Sequence, residues 1–91
     1  MDTSLSRKQR NLDINRELGR HLARLRCENC VSQAEVAEAM GFGRPLVSKI
    51  EHGQRELSAA ELPDYARAIG STSHEVVNVL VGIVKRYRQE E

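Results

Sequence analysis

Apolar residues in the first third of the chain fall at Ile14, Leu18, Leu22 and Leu25, at spacings of four, four and three, which places them on one face of a helix. That helix ends near Glu28, and its start is left open because Ser6 and Asp13 both have cap chemistry. Three further starts are marked by a Ser or Thr followed three residues later by Glu: Ser32 with Glu35, Ser58 with Glu61, and Thr72 with Glu75. At that spacing the hydroxyl accepts from an orphan backbone N–H while the carboxylate reaches back to the cap residue's own N–H. Another helix starts near Arg44–Pro45, because proline suits a first helical turn and pushes the residue before it out of helical geometry, which makes Arg44 the expected cap. Pro63 would sit one turn into a helix capped at Ser58. The fourth helix is therefore expected to begin around Leu62, with Ser58–Glu61 as a separate turn, and to stop at Gly70. Only the Val-rich tail carries any strand signal. The pattern predicts an all-α domain of five helices.

From the start at Ser32, across the start at Arg44–Pro45, runs QAEVAEAMGFGRPLVSKIEH, Gln33 to His52. Val36, Met40, Val47 and Ile50 fall where they face a core, Ala37 is small where two helices must approach, and Phe42 fills the corner. Gly41 stands at the turn, where a left-handed backbone costs any other residue much more. The result is two helices across a tight turn, a helix-turn-helix. Such a unit reads DNA in some settings and is a structural corner or a protein-binding surface in others.

Composition narrows the setting. Ninety-one residues, 40% apolar and only 3% aromatic, support one small domain with a modest aliphatic core that oligomerisation would help to stabilise. The first residues, MDTSLSRKQRN, lack the apolar stretch of a signal peptide, and Val76–Val84 is about half the length of a membrane span. A soluble, cytoplasmic protein with no membrane partner is expected. The net charge of +1 conceals strong polarity: residues 1–26 carry seven Lys/Arg against three acids, and residues 43–55 three against one. Residues 27–42 and 56–70 are net acidic. A local basic patch matters more for nucleic acid than the total, although uneven charge also occurs on plain solvated surfaces.

The segments LARLRCENCVSQAEVAEAMGF, VSKIEHG and LPDYARAIG together resemble the XRE, or Cro/C1-type, helix-turn-helix family of phage repressors and small bacterial regulators, over about Leu18 to Leu80. The resemblance implies a five-helix, lambda-repressor-like fold and double-stranded DNA as partner. In that family the helix after the turn lies in the major groove, which implies base contact by Arg44, Pro45, Ser48 and Lys49. Arg44 has the geometry for a bidentate contact to guanine. Gln33, at the start of the second helix, resembles the family's phosphate-contacting Gln, and Gln54 and Arg55 would hold the backbone. Arg26 and Glu51 match the family's Arg in the first helix and Glu after the recognition helix, an ion pair tolerable in a small core only because it is paired, with a phosphate contact by Arg26 left open as well. Cys30 stands where the family often has Gly, Gly43 where a Ser or Thr cap is common, and Leu57 where Pro is frequent.

Cys27 and Cys30 form a C-x-x-C, but no second cysteine pair or suitably spaced His pair completes a zinc site, so no metal and no cofactor are expected. Two reduced, structurally neutral thiols and a thiol sensor both fit. The three His residues are read as surface. No positioned nucleophile, carboxylate pair or phosphate-cradling Gly loop points to an enzyme, and no small-molecule ligand is evident.

On a helical wheel Val76, Leu80, Ile83, Val84 and Tyr87 share a face, and Val77, Val79 and Val81 widen the apolar arc to roughly 200°. A helix covering one core needs about 100°. The excess suggests homodimerisation through Val77, Val79, Leu80, Val81, Ile83, Val84 and Tyr87, although closure of a small core or strand pairing also fits. The expected organisation is a basic arm over 1–12, a helix-turn-helix domain over 13–75 and a dimerising C-terminal helix over 76–91. The expected function is sequence-specific regulation of transcription by a homodimer on a palindromic operator. The alternative is an antitoxin-like or adaptor module whose apolar tail binds a protein.

Overall fold

Helix α1 spans Thr3–Glu28 in the computed structural model of the chain, which describes residues 3–88. No Gly or Pro interrupts residues 3–18, and half of them are Arg, Lys, Gln or Leu, which are good helix formers. The helix is about 39 Å long at 1.5 Å per residue, which accounts for most of the molecule's 44 Å long axis. The expected basic arm is thus helical from residue 3, and the expected boundary at residues 12–13 falls inside α1. Residues 1 and 2 lie outside the described residues.

Helices α2 (Gln33–Met40), α3 (Arg44–Glu51), α4 (Leu62–Ala68) and α5 (Ser73–Arg88) follow, with no strand among the described residues. The boundary expected at residues 75–76 falls within α5. Ser32 and Glu35 form a complete capping box on α2, with Ser32 N–H donating to Glu35 Oε1 at 2.9 Å and Glu35 N–H to Ser32 Oγ at 3.0 Å. Ser58 and Glu61 make the same exchange at 2.9 and 3.1 Å, but over a turn that precedes α4, so Pro63 falls in the first turn of the helix, where it is tolerated. Thr72 Oγ1 accepts from Glu75 N–H at 3.1 Å, while the Glu75 carboxylate accepts from the Ser71 hydroxyl.

The α3 start departs from expectation. Gly43, with an extended backbone at φ −74°, is the cap and Arg44 is the first helical residue, so Pro45 occupies the second position. The bias against helical geometry before proline is weaker than the gain from a first turn in which the missing N–H is not needed. Gly41 caps α2 at φ 73°.

The core is one cluster built by all five helices: Leu22 from α1, Val36 and Ala37 from α2, Val47 and Ile50 from α3, Tyr65 and Ala66 from α4 with Ile69 just beyond it, and Val76 from α5. Met40 and Phe42 pack partly buried against it. Alpha1 crosses the end of α3 so closely that a Cβ on Gly19 would stand 2.5 Å from the Ile50 and Glu51 carbonyl oxygens. Gly53 closes the same crossing. Its φ is 73°, and a Cβ there would meet Arg16 Cα at 2.5 Å, so both the backbone and the contact require glycine.

Alpha5 lies along α1. Ile83, expected at the dimer contact, is 2% exposed within the monomer and so belongs to the monomer's own packing. Tyr87 is half-buried with its hydroxyl donating to Glu17 Oε2 at 3.3 Å, and Arg86 pairs with the same carboxylate. Leu80, Val79 and Val84 are half-buried, whereas Val77 and Val81 are exposed at 39% and 44%. No helix among the described residues is long and apolar enough to cross a membrane.

Candidate nucleic-acid interface

The α2 and α3 helices are fastened to α1 through one buried carboxylate. Glu51, at the last turn of α3, accepts from Arg26 Nε at 2.6 Å and from Arg26 Nη2 at 3.2 Å, with the two side chains 6% and 14% exposed. Arg26 Nη1 also donates to Val31 O at 2.9 Å, which holds the loop entering α2. The paired carboxylate raises the Arg26 pKa further above its ordinary value, so the guanidinium stays charged.

Glu51 has a second client. Gln33 Nε2 donates to Glu51 Oε1 at 2.9 Å, and this fixes which way the Gln33 amide points. Its NH2 faces the carboxylate, so its oxygen faces outward, where Arg44 Nε approaches to 3.4 Å. A relay of hydrogen bonds thus runs from the buried pair to the first residue of α3. Gln33 is expected at a phosphate; in the structure one of its amide N–H groups donates to Glu51 and its oxygen accepts from Arg44.

Along α3, Arg44, Pro45 and Lys49 are exposed and Ser48 is half-buried, opposite the buried Val47 and Ile50. The Ser48 carbonyl accepts from the His52 backbone N–H at 3.0 Å and lies 2.7 Å from His52 Nδ1, which must carry the proton because a carbonyl only accepts. Gln54 is exposed in the loop after α3, with its N–H bound to Lys49 O at 2.8 Å.

Arg55 is placed differently from expectation. Its guanidinium makes a bidentate pair with Glu61, at 3.1 and 2.8 Å, donates to Glu56 O at 3.1 Å, and lies 5.4 Å over the Phe42 ring. The head group expected to hold phosphate ties the corner of the motif to the turn before α4. Arg55 and the Ser58 N–H hold the Glu61 carboxyl down at about 2. Sequence spacing gave no sign of this pair, because the two residues approach only through the loop between them.

The α1–α3 crossing also brings the two basic stretches together: Leu12, Arg16 and Arg20 of α1 line one hollow with His52, Gly53 and Gln54. His21, expected at the surface, is half-buried, and its Nδ1 accepts from Arg24 Nη2 at 2.9 Å. Burial and Arg24 lower its pKa. The Tyr65 hydroxyl is buried with no hydrogen-bond partner among the described residues, and burial, reinforced by Glu51, raises its pKa well above the usual phenol range. No group of three or more His, Cys, Asp or Glu suited to a metal ion occurs among the described residues.

A two-helix corner, glycine-capped at its turn, with the second helix exposed along one side and anchored at its end to the first helix of the bundle, defines a helix-turn-helix domain. The helix-turn-helix domain family matches residues 17–79. The chain belongs to this family, in its XRE type, and the family is one of DNA-binding transcriptional regulators. The chain is similar to an uncharacterised HTH-type transcriptional regulator, y4dJ, of Sinorhizobium fredii, 33% identical over 72% of this chain and 86% of that protein. Among solved structures it is similar to the clp gene regulator ClgR of C. glutamicum, with TM-score 0.68 and 28% identity over 76% of this chain and 90% of the other. An XRE-family like protein of Pseudomonas syringae pv. tomato gives TM-score 0.68 at 26% identity, covering 89% and 94%. The restriction-modification controller protein C.AhdI of Aeromonas hydrophila gives 0.61 at 30%, covering 70% and 96%.

Proposed function

We propose that this chain is a cytoplasmic regulator that binds a palindromic operator as a homodimer, with α3 of each copy in the major groove. The observation that carries the reading is the relay from Glu51 through Gln33 to Arg44, because it preorients a cationic, fork-shaped donor at the exposed start of α3. Arg44 reads a base edge, Pro45 and Ser48 line the groove wall, and Lys49 and Gln54 meet phosphate or base beside it. Arg16 and Arg20 add positive potential along the same side. Arg55 holds the corner and makes no phosphate contact. Gln33 positions Arg44, and the α2 N-terminus keeps its backbone N–H groups for phosphate.

The dimer contact is α5. Val77 and Val81 stand one turn apart on its outer face, with half-buried Leu80 and Val84 beside them, and a second copy of α5 covers this strip. Two α3 helices then reach major-groove segments about 34 Å apart. The test is Val81→Glu, a charge at an exposed position that leaves the monomer core alone. Sedimentation at micromolar concentration should give a dimer for the parent and a monomer for the variant, with unchanged helix content and weakened DNA binding. A parent that sediments as a monomer and binds a single half-site tightly overturns the reading.

A further inference from the structure

The turn that ends α1 carries two exposed thiols, Cys27 and Cys30, that the function proposed above leaves unused. Cys30 N–H donates to Cys27 O at 3.0 Å and Val31 N–H to Arg26 O at 3.0 Å, the paired bonds that close a helix C-terminus. Cys30 occupies the left-handed position of that closure, at φ 58°, where glycine is usual. A hydrogen-bonded turn keeps its first and last Cα atoms within about 7 Å, and a disulfide spans about 4.4–6.8 Å. The two thiols are the ends of such a turn.

What makes the pair more than two surface thiols is what lies on the inner side of the same turn. The carbonyl next to Cys30, that of Val31, is the acceptor of Arg26 Nη1 at 2.9 Å, and the residue beside Cys27 is Arg26 itself. From Arg26 the contacts continue to Glu51, to Gln33 and to Arg44. Ser32, the cap of α2, follows Val31 directly.

We propose that Cys27 and Cys30 are a thiol switch, in which an intramolecular disulfide closed by a hydroperoxide shifts the α1–α2 turn, loosens the grip of Arg26 and lowers affinity for DNA. One thiolate attacks the terminal peroxide oxygen; the O–O bond breaks, giving a sulfenic acid and an alcohol or water. The second thiol attacks the sulfenic sulfur, forming S–S and releasing water. Two thiols are oxidised and the peroxide is reduced, and a dithiol reverses the step. Closure needs the two Cβ atoms about 3.8 Å apart. Closure fixes Cys30 against Cys27 at that separation, and the Val31 carbonyl, one residue on, follows any adjustment of Cys30. The effect on affinity rests on the DNA-binding reading; the effect on Arg26 does not.

The experiment treats the parent, Cys27→Ser, Cys30→Ser and Cys30→Gly with hydrogen peroxide. It follows intact mass, the NMR resonance of the Arg26 Nε–H, and binding to a fluorescent duplex of random sequence. The parent should lose two hydrogens, shift the Arg26 resonance and bind at least tenfold more weakly, with all three changes reversed by dithiothreitol; the variants should show none of them. Oxidation that only adds oxygen atoms, a bond between two chains, or closure that leaves the Arg26 resonance unmoved overturns the switch. Closure with a shifted resonance and unchanged affinity, in a parent that binds the duplex, overturns it equally. A reduced parent that binds no duplex overturns the DNA-binding reading, and the Arg26 resonance then decides the switch by itself.

Discussion

Glu51→Ala removes the acceptor of three hydrogen bonds, two from Arg26 and one from Gln33. What remains is a guanidinium in a side chain only 14% exposed, with a neutral carbonyl, Val31 O, as its acceptor at 2.9 Å. Breaking a buried pair from one side costs about 3–5 kcal/mol, because the surviving charge keeps its desolvation penalty. The small residual exposure of Arg26 places the expected loss toward the lower end. A domain of this size has about 5–15 kcal/mol in total, and each kcal/mol moves the melting temperature by about 4–8 °C, so melting should fall by more than about 10 °C. Thermal and urea unfolding followed by circular dichroism measure this. The double variant Arg26→Met/Glu51→Leu should recover most of the loss, since apolar replacement of a whole pair is close to neutral. A Glu51→Ala chain that melts with the parent would refute the placement of the pair in the core.

Tyr65→Phe should raise stability by about 1 kcal/mol, because the hydroxyl it removes is buried without a partner; a loss of similar size in urea unfolding would mean that the hydroxyl is bonded. The tie between Arg55 and Glu61 should be acid-resistant. The folded Glu61 carboxyl is held down to about 2, against an ordinary 4.5, so its contribution is complete above the ordinary value and is lost as pH falls toward about 2. The melting-temperature gap between parent and Glu61→Gln should accordingly be flat from neutral pH down to the ordinary carboxylate range and close below it; a gap that persists through acid would remove the ion pair as its cause.

Much of this fold is legible in the chain because it is written in local chemistry. Ser32 with Glu35, Ser58 with Glu61, Gly41 and Pro63 each act on backbone groups within four residues, so their spacing predicts their structure. The start of α1 is not legible. Its first turns carry too few apolar residues to show a period, and nothing between Ser6 and Asp13 stops a helix once it has begun. The tail shows the opposite difficulty, a wide apolar arc that does not say which part faces α1. Only the burial of Ile83, with Arg86 and Tyr87 on Glu17 of α1, divides inner from outer. In the candidate site the residue types are legible and their partners are not: Gln33 and Arg55 have the right chemistry for phosphate, but Gln33 meets a carboxylate brought near by tertiary folding and Arg55 one brought near by the path of the loop after α3.

Selection of bound duplexes from a random library, run in parallel with the parent and Arg44→Ala, tests the central claim most directly. The parent should enrich a palindrome whose half-sites are centred about one helical turn apart, 10–10.5 base pairs. Arg44→Ala should keep the palindrome and lose the preference at one base pair in each half-site, about 1–3 kcal/mol of discrimination. A parent that enriches no sequence contradicts specific DNA binding, and a palindrome whose every preference survives Arg44→Ala contradicts the role given to the start of α3.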